Sequence, residues 1–201
     1  MGISAALVIL TFLLVLVACQ VLLSSNKDLV RARAWGELTH RSFPFIAIAL
    51  MAAGLPLVQS WQEGWVPVAW VLAFGALLMA ANFLSIPLDE RRASRAFRSG
   101  DCAGAAALYR RLAEKKNLAR YWAFLGAALA ASEKPEEGVE ASTKAIEIDP
   151  EYGLAYYNRA LILRRMGQKS RAVKDLKKAL DVDLPRRFRT GSRSMLEELQ
   201  G

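Results

Sequence analysis

The sequence predicts an all-α protein in which three transmembrane helices are followed by a solenoid of stacked helix pairs. Two observations support this fold class. Residues 1–88 contain only four Lys/Arg and three Asp/Glu, whereas residues 89–201 contain 23 Lys/Arg and 16 Asp/Glu. The second half also repeats itself with a period of 34 residues. A fixed period of this size is typical of solenoids, in which each unit buries an apolar face against its neighbour.

Three apolar runs in the first half are long enough to cross a hydrocarbon core, which takes about 20 residues. They cover residues 2–25, 43–61 and 65–88 and define a predicted membrane domain over residues 1–88. Lys and Arg occur in the loop 26–42 and directly after the third run, but not in the link 62–64. Because such residues concentrate on the cytoplasmic side, we expect the N-terminus outside and the C-terminal half in the cytoplasm. The expected setting is a bacterial inner membrane.

Small residues spaced four apart within the second and third runs predict faces for close helix packing. Such faces either pack the three helices together or dock against the membrane helices of a larger complex. The residues concerned are Ala49, Ala53, Ala69, Ala73, Ala76 and Ala80.

The 34-residue period is visible as pairs of similar residues without a gap. Trp122, Gly126, Leu129, Gly138, Ala145 and Asp149 recur as Tyr156, Ala160, Leu163, Ala172, Ala179 and Asp183. This order of aromatic, small and large apolar residues, with Pro150 and Pro185 following, resembles the tetratricopeptide repeat family. Gly138 and Ser142 depart from the family pattern, which usually has a bulkier residue at the second position. A more degenerate copy precedes these two, with Gly100 and Asp101 at its inter-helix turn.

The resemblance implies about 2.5–3 repeats in a repeat domain over residues 89–201. They lie near residues 89–117, 119–151 and 153–185, and residues 186–200 form a capping helix. In this family the first helix of each pair lines a groove that binds proteins. The implied groove is small and apolar at one end and aromatic and cationic at the other, so we expect it to bind an acidic or helical segment. Its predicted residues are Arg120, Ala123, Ala127, Tyr157, Asn158, Leu161, Arg164 and Arg165. For Asn158, a role in supporting the backbone is the alternative.

The sequence contains no recognisable catalytic constellation. His40 is the only histidine, the two cysteines lie far apart, and no glycine-rich phosphate loop follows a strand. We therefore predict that the protein is not an enzyme and that it needs neither cofactor nor metal. The basic residues are mixed with acidic ones and accompany no nucleic-acid motif, so the expected partners are a protein and the lipid bilayer.

Together these features predict a membrane-anchored scaffold or adaptor for protein–protein interaction. It would be an assembly factor or an accessory subunit of a membrane complex. Two alternatives stay open: a component similar to cytochrome c maturation subunits, with the repeats on the outer side, or the regulatory subunit of a membrane enzyme or transporter. The absence of a titratable side chain within the apolar runs argues against a transporter.

Overall fold

The structure is a computed structural model that describes residues 13, 16, 17, 19–59 and 65–200, without the side chains of residues 52, 53, 55–59, 67 and 71. The chain divides into two compact units, residues 1–87 and residues 88–201.

Helices make up the described part of the first unit. Residues 19–25 are helical and are followed by α1 (Lys27–Arg31), α2 (Trp35–Gln59) and α3 (Trp65–Leu84). Helices α2 and α3 pack against each other. Gly54 lies so close to the indole of Trp70 that any side chain at this position would displace the ring. Ala47 and Ala81 are also buried, with 3% and 7% of their surface exposed.

The prediction of three transmembrane helices is wrong. Within residues 19–59 and 65–200, no single helix is long and apolar enough to cross a membrane. Val68–Leu84 has the length and composition of a span only when it is combined with the charged helix Leu88–Arg98. The predicted third span is interrupted before Leu88 because Pro87 lacks a backbone N–H and disfavours helical geometry at the residue before it.

The other two predicted spans differ from the structure in separate ways. Helix α2 begins at Trp35 rather than near Phe43, so that Glu37, His40 and Arg41 belong to it. These polar and charged side chains would be costly in a hydrocarbon core, because it has no water to solvate them. The run 2–25 lies largely outside the described residues.

The alanines predicted to pack membrane helices are mostly at the surface of this unit. Ala49 is half-buried, and the side chain of Ala53 lies outside the described ones. The α3 members are exposed: Ala69, Ala73, Ala76 and Ala80.

The second unit consists of three helix pairs and a further helix. The pairs are α4 (Leu88–Arg98) with α5 (Cys102–Lys116), α6 (Ala119–Ala131) with α7 (Pro135–Ile148), and α8 (Gly153–Arg165) with α9 (Lys169–Asp181). The last helix is α10 (Arg186–Gln200). Each helix packs against the next along the chain, and α6 also packs against α8.

Short turns separate the helices of each pair. Gly100 and Gly167 occupy equivalent turns with positive φ angles of 86° and 75°, which a residue without a Cβ adopts at little cost. Asp101 then caps α5, because its Oδ1 accepts a hydrogen bond from the backbone N–H of Gly104 at 2.8 Å.

The contact between α6 and α7 depends on small residues. A Cβ on Gly126 would come within 2.8 Å of the carbonyl oxygen of Gly138 and would also strike Oγ of Ser142. Ser142 itself is completely buried, and its hydroxyl has no hydrogen-bond partner among the described residues. The departures from the family pattern at Gly138 and Ser142 therefore coincide with a close approach of two helices.

The contact between α8 and α9 contains a buried ion pair. Nε of Arg159 donates to Oδ2 of Asp175 at 2.7 Å, and its Nη2 donates to Oδ1 at 2.8 Å. Nη1 donates to Oγ1 of Thr143 on α7 at 3.0 Å. The hydrogen bonds that Arg159 donates to the carboxylate of Asp175 raise the pKa of Arg159 above its ordinary value. This network ties the second helix pair to the third.

Helix α10 is fastened to the end of α9. Its Arg189 donates hydrogen bonds to the carbonyl oxygens of Leu180, Val182 and Leu184, each at 3.1 Å. Helix C-termini leave several carbonyls without an internal partner, and a nearby arginine can satisfy them.

Candidate protein-binding face

The first helices of the pairs, α4, α6 and α8, together with α10, form one face of the second unit, the first-helix face. A side-chain contact joins each neighbouring pair of these helices. The hydroxyl of Tyr121 donates to Oε2 of Glu90 at 3.0 Å and joins α6 to α4. Nδ2 of Asn158 donates to the carbonyl oxygen of Ala123 at 2.9 Å and joins α8 to α6. Nη1 of Arg164 lies 3.3 Å from Oε2 of Glu198, which joins α8 to α10.

The predicted groove residues on α6 are mostly inaccessible. Ala123 is completely buried, and Arg120 has only 7% of its surface exposed. Ala127 is half-buried. Asn158 donates its hydrogen bond to a backbone carbonyl and in this way connects α8 with α6. The α6 end of the face therefore offers little side-chain surface to a partner.

The α8 end of the face is partly accessible. Tyr157, Leu161 and Arg164 are half-buried, and Arg165 is exposed. They occupy successive turns of one helix at spacings of three and four residues, which places Tyr157, Leu161 and Arg164 on the same side. This part of the predicted site is brought together as an aromatic and aliphatic surface beside two guanidinium groups.

Helix α10 adds two residues that the sequence analysis did not include. The ring of Phe188 lies against that of Tyr157, with centroids 5.1 Å apart, and the carboxylate of Glu198 pairs with Arg164. The repeat period was the signal that could have found them. Phe188 and Glu198 follow Leu154 and Arg164 by one period of 34 residues, so α10 continues the register of the first helices.

At its α8 end, the first-helix face contains an aromatic pair, Tyr157 with Phe188, and two arginines. Within the described ranges 19–59 and 65–200, no three His, Cys, Asp or Glu side chains come together in a way that could hold a metal ion. Several polar groups of the face are hydrogen-bonded to neighbouring helices. The half-buried aromatic pair and the arginines are residue types that dominate protein–protein interfaces.

Comparison with known families gives the identity of the repeated units. Family models described as tetratricopeptide repeat match residues 119–152 and residues 142–174. Residues 119–174 carry tetratricopeptide repeats. The first match covers α6 and α7, and the second runs from α7 through α8 into α9. No match was found among curated proteins.

A solved structure shares the fold of the tetratricopeptide repeat unit. It is the type III secretion translocator chaperone SycD of Yersinia enterocolitica, which is 20% identical to this chain and superimposes with a TM-score of 0.50. The match covers 55% of this chain and 79% of the chaperone. At this identity the likeness concerns the arrangement of helices alone. Tetratricopeptide repeats are typical of proteins that bind other proteins, which is the coarse function supported here.

Proposed function

We propose that this protein is a non-enzymatic scaffold or adaptor that binds an acidic or helical protein segment on the first-helix face. The observation that carries the proposal is the combination of Tyr157, Leu161, Arg164 and Arg165 on one partly accessible stretch of α8. The aromatic ring would supply apolar contact, and the guanidinium groups would pair with carboxylates of the partner.

The ion pair between Arg164 and Glu198 supports an acidic partner. It is a surface pair, with 37% of the Arg164 side chain and 67% of the Glu198 side chain exposed. Exposed pairs of this kind contribute at most about 1 kcal/mol. A carboxylate from a partner can therefore replace Glu198 at little cost, and Glu198 shows that this position accepts an acid.

A photo-crosslinking experiment tests the proposal on the full chain. A benzoyl-phenylalanine replacing Tyr157 should crosslink a protein partner, whereas the same group replacing Lys174, an exposed residue of α9, should not. Arg164→Glu with Arg165→Glu should remove the crosslink. The matched control Lys174→Glu with Lys177→Glu changes the net charge equally on another helix and should leave it intact. Equal crosslinking in both double variants would contradict the proposal.

The proposal includes a role as an accessory or assembly subunit of a membrane complex, with the repeats in the bacterial cytoplasm. It is supported by apolar side chains at the surface of α3, where Leu72 and Met79 have 70% and 75% of their surface exposed. Large exposed apolar patches are typical of contacts with proteins or lipid. This attachment does not require three spanning helices.

Fractionation of cells tests the membrane part of the proposal. The full chain should sediment with membranes, and Leu72→Ser with Met79→Ser should release it. The exposed surface pair Lys174→Ser with Lys177→Ser on α9 should leave it bound. A reporter fused after Gly201 that is active only outside the cytoplasm should stay silent. Recovery of the wild-type chain in the supernatant, or an active reporter, would refute this part.

A further inference from the structure

A pocket lies in the groove between α5 and α7, the second helices of the first two pairs. Its volume is about 440 Å³. Trp122, Leu125 and Leu129 of α6 and Ala141 of α7 line its apolar part. The volume lies within the range of small ligand pockets and can take one large aromatic or aliphatic side chain.

The indole of Trp122 is held in place at the edge of this pocket. Its Nε1 donates to Oδ1 of Asn117 at 3.2 Å. Asn117 ends α5 in a left-handed conformation with a φ angle of 46°, so its position is set by the turn between α5 and α6. Trp122 is half-buried, whereas its counterpart Tyr156 is 8% exposed. The pocket therefore has a fixed aromatic wall.

The equivalent groove one repeat later shows why the first one is open. Positions 34 residues after Leu125 and Ala141 are Arg159 and Asp175. These two side chains form the bidentate ion pair between α8 and α9 and fill the corresponding space. Leu125 and Ala141 are shorter and carry no polar atoms in their side chains. The first groove thus lacks the ion pair that the second groove contains.

The first pocket has an acidic excess. It is lined by Glu114, Glu137 and Glu140 together with Arg110 and Lys144. Nζ of Lys144 donates to Oε2 of Glu147 at 3.2 Å. The counterparts of Glu137 and Glu140 one period later are basic, Arg171 and Lys174. Glu137 is already engaged, because Nη2 of Arg110 donates to its Oε2 at 2.9 Å. That hydrogen bond, with a second from Lys134, lowers the pKa of Glu137. Glu140 and Glu114 are exposed on opposite sides of the opening.

We propose that this pocket, the α5–α7 pocket, binds a protein segment that inserts one large apolar side chain and places lysine or arginine residues beside it. The apolar floor would bury the anchor, and Glu114 and Glu140 would attract the flanking cations. This site is separate from the first-helix face and prefers the opposite charge. It would let the repeats bind a second partner while the first-helix face is occupied.

Peptide binding to the full chain tests the proposal. The probe is a fluorescein-labelled peptide amide with a central phenylalanine between two pairs of lysines. Two reference peptides replace the phenylalanine with glycine or the lysines with glutamates. We expect the probe to bind with a Kd below about 1 mM and at least about fivefold more tightly than either reference.

Variants then locate the binding. Leu125→Arg with Ala141→Asp introduces the ion pair of the second groove and should abolish probe binding. Glu114→Lys with Glu140→Lys should weaken it by about tenfold at low salt. Glu136→Lys with Glu133→Lys makes the same charge change at exposed positions outside the pocket lining and should alter affinity less than about twofold. Circular dichroism checks that each variant folds.

Several outcomes would overturn the proposal. They are failure of the wild-type chain to bind the probe, equal binding of the glycine peptide, and retention of binding by a folded Leu125→Arg, Ala141→Asp variant. If that variant unfolds, the comparison between the two pairs of glutamate substitutions decides, and equal losses would refute the pocket. Arg164→Glu with Arg165→Glu should leave probe binding unchanged, so failure of this site is distinguishable from failure of the first-helix face.

Discussion

Replacement of Asp175 by alanine should strongly destabilise the repeat unit. The substitution removes both hydrogen bonds from Arg159 to the carboxylate and leaves the guanidinium with Thr143 as its remaining partner in this network. Breaking a buried ion pair from one side costs about 3–5 kcal/mol. The Arg159 side chain keeps 18% exposure and can regain some water, so we expect about 3 kcal/mol, the lower end of that range.

A double variant separates the charge from the packing. Arg159→Leu with Asp175→Ala reproduces the residues at Leu125 and Ala141 and leaves no unpaired buried charge. Its loss of stability should be about 1 kcal/mol, well below that of Asp175→Ala alone. Lys174→Ala, at an exposed neighbouring position of α9, should change stability by less than about 0.5 kcal/mol.

Thermal unfolding of the full chain, followed by circular dichroism, measures these differences. A loss of about 3 kcal/mol should lower the melting temperature of the repeat unit by roughly 10 °C or more. Hydrogen exchange of peptides from α8 and α9 should show that the loss of protection begins there. A melting temperature for Asp175→Ala within about 2 °C of wild type, or a double variant as unstable as the single one, would refute the reasoning.

Three further predictions concern the packing of the repeats. Gly126→Ala should destabilise the unit by about 1–3 kcal/mol in urea unfolding, although alanine favours helices, because the carbonyl of Gly138 cannot move away from the new methyl group. Ser142→Ala should leave stability unchanged or raise it by up to about 1 kcal/mol, since its buried hydroxyl has no partner; a large loss would reveal a missed contact. Burial raises the pKa of Tyr156, so the stability from its neutral form is present below about pH 10 and is lost as pH rises through the raised pKa. The free energy of unfolding, measured from pH 8 to 12, should therefore fall less steeply with pH in Tyr156→Phe than in the wild type. Identical slopes would contradict this origin of the pH dependence.

The repeat register could be predicted from sequence because the packing of helix pairs imposes small and large residues at fixed intervals. That pattern gives approximate repeat ranges and not the ends of the individual helices. The ion pair could not be predicted in the same way, because Arg159 and Asp175 interrupt the apolar pattern at core positions. A polar pair that replaces Leu125 and Ala141 after one period is the signal that was available in the sequence.

The predicted site residues differ in accessibility between α6 and α8. Tyr157, Leu161 and Arg164 are half-buried and Arg165 is exposed, whereas Arg120 and Ala123 are buried. Projection onto one helix gives the direction of a side chain but not the cover that the next helix provides. The prediction of a third span over residues 65–88 was wrong in its end. Mean hydropathy over these residues does not register that α3 ends at Leu84, before Pro87.

The three hydrogen bonds of Arg189 have a consequence for local opening of the chain. Helix α10 buries little of its own surface. Among its described residues, only Ser192 is buried. Segments with few buried contacts exchange their amide protons through small fluctuations that do not require global unfolding. Arg189 binds carbonyls at the end of α9, so release of α10 exposes the last turn of that helix at the same moment. The two elements should therefore open as one cooperative unit, and the end of α9 should be no more protected than α10 itself.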